Sequence, residues 1–370
     1  MLSTIRVRSS VDSYNVVCGP GAAAKTPALI GRLGKSTGIY VLSSQRVWRY
    51  WGRYFTPRVP GRQGRNPILF DDAESAKRLS TVEGIARGLV RAGADRQATI
   101  LAIGGGVVGD VAGFSAATYL RGVRLVHVPT TVVAQVDSAI GGKTAVDLPE
   151  GKNLVGAFYP PKLVIVDPHL LRTLPHREFR SGLYEVIKYG VIADPKLFSF
   201  LEEHMDTVLR RDPKALDYII ARSIAIKADV VSQDERENGL RQILNFGHTL
   251  GHALETATNY RRFLHGEAIG WGMLAVTSMA LQMNQLRHDD AIRILALIAS
   301  VGPLPRLGKI KFSQLQPIMA GDKKARRGCV LWVVPRRIGQ SEWGQKVPWP
   351  IVKQTIDRLP VLARELFKQP

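Results

Sequence analysis

Two short stretches, GIYVLSS (38–44) and ATILAIGGG (98–106), are apolar at nearly every position until they open into serines or glycines. Runs of this length, rich in β-branched residues and bounded by turn formers, predict strands buried on both faces, as in parallel sheets. Residues 80–93 instead space their apolar positions at a helical period. DVAGFSAATYLRG (110–122) reads as a small-residue helix and VRLVHVPTT (123–131) as a second strand, so 98–131 forms one βαβ unit. The rest of residues 1–75 reads as short strands and turns around a helix-like stretch, with PRVPGRQGRNP (57–67) as a loop. After LVIVDP (163–168) the texture changes, and from about residue 176 long amphipathic helices replace strand signals. A chain of 370 residues also exceeds one comfortable core. The expectation is therefore an α/β domain over 1–175 and an all-α domain over 176–370.

Composition narrows the class. The 45% hydrophobic content is ordinary for a globular protein. No apolar run is long enough to span a membrane and the first residues lack a secretory pattern, so a cytoplasmic location and no membrane partner are expected. The net charge of +20 resembles a nucleic-acid signature, but its distribution argues against one. Residues 1–65 hold 11 Lys/Arg against the single acid Asp12, residues 301–370 hold 14 against 4, and the middle is balanced at 26 against 26. Basic flanks without a nucleic-acid motif read as solvated surface. Cys18 and Cys329 are far apart and lack a CxxC spacing, which leaves His, Asp and Glu as the only candidates to hold a metal.

Inside the βαβ unit, Gly104, Gly106 and Gly109 satisfy GxGxxG after a strand and before a helix. Glycine there lets backbone approach a pyrophosphate, and the helix start offers amide donors. The following strand ends in Pro129-Thr130-Thr131 instead of an acid for a ribose diol, so the unit is irregular and the match alone leaves the cofactor open. Gly141-Gly142-Lys143-Thr144 resembles the end of a P-loop, yet Asp137 stands where that loop needs its first glycine. His248 and His252 are spaced i, i+4 on one helix face, with Thr249 where a zinc protease has its glutamate. His265 follows closely, and Glu185 lies in an apolar helical segment where an unpaired carboxylate is costly. Such N/O donors suit a divalent ion, with spacing alone making both His248 and His252 candidates.

Taken together, GGGVVGDVAGFSAATYLRG, VPTTVVAQVDSAIGGKTAVD, GKNLVGAFYPP, LRTLP, GLYEVIKYG, IKADVV, NFGHTLGHALE, LHGEAIGWGM and GDKK resemble the 3-dehydroquinate synthase family in order and spacing over about residues 70–325. The resemblance implies a Rossmann-like NAD-binding N-terminal domain, a helical metal-binding C-terminal domain, a site in the cleft between them, and a homodimer. It implies NAD-mediated oxidation, β-elimination of phosphate, reduction and intramolecular aldol closure of a seven-carbon sugar-acid phosphate, with Zn or Co as the divalent metal. Glu185, His248 and His265 match its metal ligands, and His252 a catalytic group beside them. Glu74, Lys77, Gly105, Gly106, Asp110, Thr130, Thr131, Asp137, Lys143, Lys152 and Thr173 match its NAD contacts. Lys143, Asn153, Lys188, Lys227, Arg241, Asn245 and Lys323 fall at substrate positions, and Arg121 matches an arginine that reaches the phosphate from the partner subunit.

Two residues depart from the family pattern: Ser44 stands where an acid usually binds the adenosine ribose, and Tyr184 replaces a small residue beside the metal glutamate. A cyclase for an aminated substrate and a metal-dependent alcohol dehydrogenase are the competing activities; retention of GGKT favours the carboxylate-bearing substrate.

Overall fold

The protein is described here by a computed structural model covering residues 2–10, 12–59, 61, 65–321 and 330–367. Its chain divides into two compact units, one of Met1–Pro175 with Leu216–Arg236, the other of His176–Ala215 with Glu237–Pro370.

The first unit is built on β1 (Ser3–Val7), β2 (Tyr14–Cys18), β3 (Ile39–Ser44), β4 (Ile68–Phe70), β5 (Thr99–Gly104) and β6 (Arg124–Pro129). A hairpin of β7 (Lys143–Leu148) and β8 (Gly151–Phe158) precedes β9 (Leu163–Val166). One seven-stranded sheet runs β1-β2-β9-β6-β5-β3-β4, parallel throughout except for the edge pair β1–β2. Helices α1 (Thr26–Gly31), α2 (Gln45–Phe55), α3 (Leu79–Arg91) and α4 (Gly106–Thr118) supply the covering layers. Alternation along the strands makes two cores. Tyr40, Leu42, Ile100, Ala102 and Leu125 pack with α3 and α4, whereas Val41, Leu101, Ile103, Val126 and Ile165 pack with Trp51 and Phe55 of α2. Burial on both faces is why β3 and β5 are apolar without polar alternation.

The second unit is helical: α5 (His176–Ala193), α6 (Pro195–Leu209), the first residues of α7 (Pro213–Gln233), α8 (His248–Ala257), α9 (His265–Gln282), α10 (His288–Ser300), α11 (Phe312–Ala320) and α12 (Trp349–Phe367). α5 and α9 are buried on nearly every side, so their apolar residues form no single stripe.

Two expectations need correction. The second unit is not all-α, because β10 (Leu331–Arg337) and β11 (Gln340–Lys346) form an antiparallel hairpin with irregular register. Nor is 176–370 one continuous domain: Leu216–Arg236, most of α7, groups with the first unit, where Glu235 accepts hydrogen bonds from both hydroxyls of Ser9 and Ser10 at 2.6 Å. Its apolar period predicted a helix, but nothing local predicted its neighbours. Lys143 opens a strand and not a helix, in keeping with the failed P-loop match of Gly141-Gly142-Lys143-Thr144.

Candidate active site

The glycine turn lies where β5 enters α4. A Cβ on Gly104 would stand 2.5 Å from Cβ of Val108, so glycine is required for the helix to start directly against the strand end. Gly105 precedes the first helical residue, and Thr131 lies against it: a Cβ there would meet the Thr131 methyl at 3.0 Å. Thr130 is buried, and its amide donates to Gly104 carbonyl at 2.9 Å. Gly105, Gly106, Thr130 and Thr131 thus frame one backbone-lined opening at a helix N-terminus, fit for a pyrophosphate.

Charged residues from separate motifs meet beside it. Lys77, 3% exposed, donates to Asp110 at 2.6 Å and to Asn153 Oδ1 at 2.5 Å. Burial alone would pull the Lys77 pKa down, but Asp110, Glu74 and Asp147 together outweigh it and hold the ammonium above the ordinary lysine range. Lys152 pairs with Glu74 at 3.0 Å. Asn153 adopts a left-handed φ of 54° while its amide donates to Asp147 Oδ1 at 2.8 Å, a turn that aims its side chain at Lys77. On α7, Lys227 donates to Asp137 at 2.7 Å. Thr173 accepts a hydrogen bond from the Trp51 indole at 3.0 Å.

In the second unit, Glu185 on α5 is fully buried, and its carboxylate faces three nitrogens. Its Oε1 lies 3.2 Å from His265 Nε2 and 3.7 Å from His248 Nε2, and its Oε2 lies 2.5 Å from Lys188 Nζ. Donor atoms of Glu185, His248 and His265 all fall within 4.8 Å of one another. Each imidazole is turned by its other nitrogen: His248 Nδ1 faces Phe246 carbonyl at 3.1 Å, and His265 Nδ1 faces Glu255 at 3.2 Å. Outer partners of this kind set the tautomer so that Nε2 offers its lone pair to a metal. These residues therefore fit a divalent ion. Burial would push the His265 pKa down, yet Glu255 and Glu185 outweigh it and raise it to about 10, so a metal that takes this ring displaces a proton.

Local sequence explains this convergence. Gly266 follows His265, and a Cβ on it would lie 1.8 Å from Ser181 carbonyl, so only glycine lets α9 begin in contact with the helix that carries Glu185. His248 opens α8, placing His252 one turn on with its ring centroid 5.3 Å from that of His248. His252, Glu255 and His265 form a second overlapping donor group, so geometry brings all three histidines together. Glu255 was not among the expected site residues. It stands three residues after His252 and seven after His248, hence on the same face, and it is an acid in an otherwise apolar turn, which is the signal that marks it.

The remaining expected residues are placed individually. Arg241 is buried on the short turn Leu240–Asn245 that leads to His248, and Asn245 donates to Glu237 at 2.6 Å. Lys143 is exposed at the first position of β7. Arg121 is exposed in a turn where Leu120, Arg121 and Gly122 all have positive φ. Lys323 lies outside the described residues. Tyr184 packs its ring over Gly270, with a would-be Cβ there at 3.1 Å, and donates to Gly302 carbonyl at 3.1 Å. Its bulk is thus taken up by α9 and the loop after α10. Cys18 is buried with its thiol pushed up to about 12 by burial first and then Asp217, which makes it inert.

Known proteins resemble this chain along most of its length. Residues 67–181 match a family model described as 3-dehydroquinate synthase N-terminal, and residues 182–325 one described as 3-dehydroquinate synthase C-terminal. A 3-dehydroquinate synthase of Koribacter versatilis (strain Ellin345) is 43% identical over 367 residues, covering 98% of this chain and 99% of its own. Among solved structures, 2-epi-5-epi-valiolone synthase from Streptomyces hygroscopicus subsp. jinggangensis 5008, with NAD+ and Zn2+ bound, has a TM-score of 0.85 at 28% identity, over 94% of this chain and 97% of that one. A 2-deoxy-scyllo-inosose synthase complexed with carbaglucose-6-phosphate, NAD+ and Co2+ has a TM-score of 0.83 at 28% identity, over 96% and 99%.

Proposed function

Because the chain belongs to the 3-dehydroquinate synthase family, we infer that it is a carbon–oxygen lyase converting 3-deoxy-arabino-heptulosonate 7-phosphate to 3-dehydroquinate and inorganic phosphate, a step of the shikimate pathway. Its cofactors are NAD and a divalent metal, Zn or Co. The observation that carries this reading is the donor set of Glu185, His248 and His265, drawn from three helices and oriented by outer hydrogen bonds. When bound, NAD supplies reversible hydride acceptance and the metal supplies Lewis-acid polarisation of a substrate oxygen.

On this reading Glu185, His248 and His265 hold the metal. Gly105, Gly106, Thr130 and Thr131 receive the dinucleotide pyrophosphate, while Glu74, Lys77, Asp110, Asp137, Lys152 and Thr173 contact its polar edges. Lys143, Asn153, Lys188, Lys227, Arg241, Asn245 and Lys323 bind the substrate carboxylate, phosphate and hydroxyls through charge-assisted hydrogen bonds. Two of these cations are held still before substrate arrives, Lys188 by Glu185 and Lys227 by Asp137, which lowers the ordering cost of binding. His252 orients the substrate or moves a proton. The molecule acts as a homodimer in which Arg121 serves the partner's site.

The test is an assay on 3-deoxy-arabino-heptulosonate 7-phosphate with NAD and Zn2+ or Co2+. Phosphate should appear with no net NADH, and chelation of the metal should stop it. A dehydrogenase would accumulate NADH in step with product, and full turnover in verified metal-free protein would overturn the metal assignment.

A further inference from the structure

We infer that the adenosine end of the dinucleotide site accepts the 2′-phosphorylated cofactor as well as NAD, and that Arg46 receives the additional phosphate. The inference rests on the NAD-dependent reading above and extends it to cofactor selection. In the sheet, β5 passes through α4 to β6 on one side, and β3 passes through α2 to β4 on the other. The point where successive connections part in opposite directions, here between β5 and β3, is where an open parallel sheet has its crevice, at the carboxyl ends of the strands. Ser43 pairs with Ile103 and donates to its carbonyl at 2.7 Å. Ser44 therefore stands level with Gly104, about 4.8 Å across from the glycine turn.

A strand end in that position commonly carries an acid that takes the ribose hydroxyls and repels a 2′-phosphate. Here the acid comes from elsewhere and is already neutralised. Ser44, 1% exposed, accepts from Val47 amide at 3.1 Å as the N-cap of α2 and donates to Asp72 Oδ2 at 2.9 Å. Asp72 follows the end of β4, whose Phe70 pairs with Ser44. The same Oδ2 receives Arg46 Nη2 at 3.1 Å and Nε at 3.3 Å. One carboxylate and one guanidinium thus pair beside the carboxyl ends of β3 and β4, with no net charge between them. The Arg46 side chain is 52% exposed, and an ion pair that exposed holds it only weakly. With NAD, Arg46 stays on Asp72, which takes a ribose hydroxyl. With a 2′-phosphate, Arg46 turns to it and gains a stronger, geometrically matched charge-assisted contact. The 2′ position is remote from the nicotinamide, so hydride chemistry is the same for both.

The test titrates the metal-loaded full chain with NADH and with NADPH, reading nicotinamide fluorescence. Wild type should bind the two within about tenfold of each other. Arg46→Ala should weaken NADPH by at least about tenfold and leave NADH nearly unchanged, and Arg46→Lys should recover part of that loss. Asp72→Asn should shift the preference toward NADPH. Wild-type binding of NADPH more than about tenfold weaker than NADH, or an Arg46→Ala loss that is equal for both, would overturn the inference while leaving NAD dependence intact. Failure of either nucleotide to bind would overturn the functional reading, and this inference with it.

Discussion

Three imidazoles and two carboxylates occupy one corner of the second unit, and the residue scale is where their roles separate. His248 and His265 turn Nε2 toward Glu185, whereas His252 belongs to the overlapping group with Glu255. The i, i+4 spacing placed His248 and His252 together but could not rank them; the orientation of Glu185, 63 positions before His248 in the chain, favours the first. His248→Ala should therefore lose both bound metal and turnover. His252→Ala should keep near-stoichiometric metal by elemental analysis with turnover at least about tenfold lower. Equal depletion of metal in two folded variants would transfer the ligand role to the His252 group. Glu255 was legible in principle from its position on the histidine face, but its partner His265 comes from the next helix, and sequence spacing carries no signal for that pairing.

At the scale of elements, close approach is set by residues with no side chain. Gly266→Ala would set a methyl against Ser181 carbonyl, where the clash is with backbone and cannot be relieved by a rotamer. α9 must then move off α5 and carry His265 with it. Metal affinity should fall by at least about tenfold, measured by competition with a chelator, while the helical circular dichroism is retained; unchanged affinity would mean that α9 is positioned by other contacts. A different element-level effect resides in β6. His127 is buried against Gly109 of α4, and burial pushes its pKa down to about 4. The unfolded chain takes up that proton near pH 6.5 and the folded one only near 4, so the neutral ring contributes stability present above about 6.5 and lost as pH falls through about 4. The loss amounts to about 3 kcal/mol. In denaturant titrations His127→Gln should flatten this part of the pH profile, and an unaltered slope between pH 6.5 and 4 would refute it.

For the whole molecule, most of the charge surplus lies apart in sequence from the candidate chemistry, with Arg46 and Lys323 as the exceptions. Arg49 and Arg53 are exposed on α2, a helix that carries none of the residues expected to meet substrate. Replacing both by Gln should change the substrate KM by less than about tenfold at moderate salt, and a larger rise would mean that the basic flank captures the anionic substrate. Local sequence alone determined the βαβ unit, the glycine turn and the helical character after residue 176, because each depends on periodicity or on one backbone requirement. It also supplied the family pattern that gathers the polar residues. Only tertiary structure decided that Leu216–Arg236 joins the first unit, that 331–346 pairs as a hairpin, and that Tyr184 is absorbed by Gly270. The same holds for the carboxylate beside Ser44, which Asp72 supplies from the next strand. Each of these depends on which surfaces meet across long stretches of chain, and hydrophobic pattern specifies that a face is buried without specifying against what.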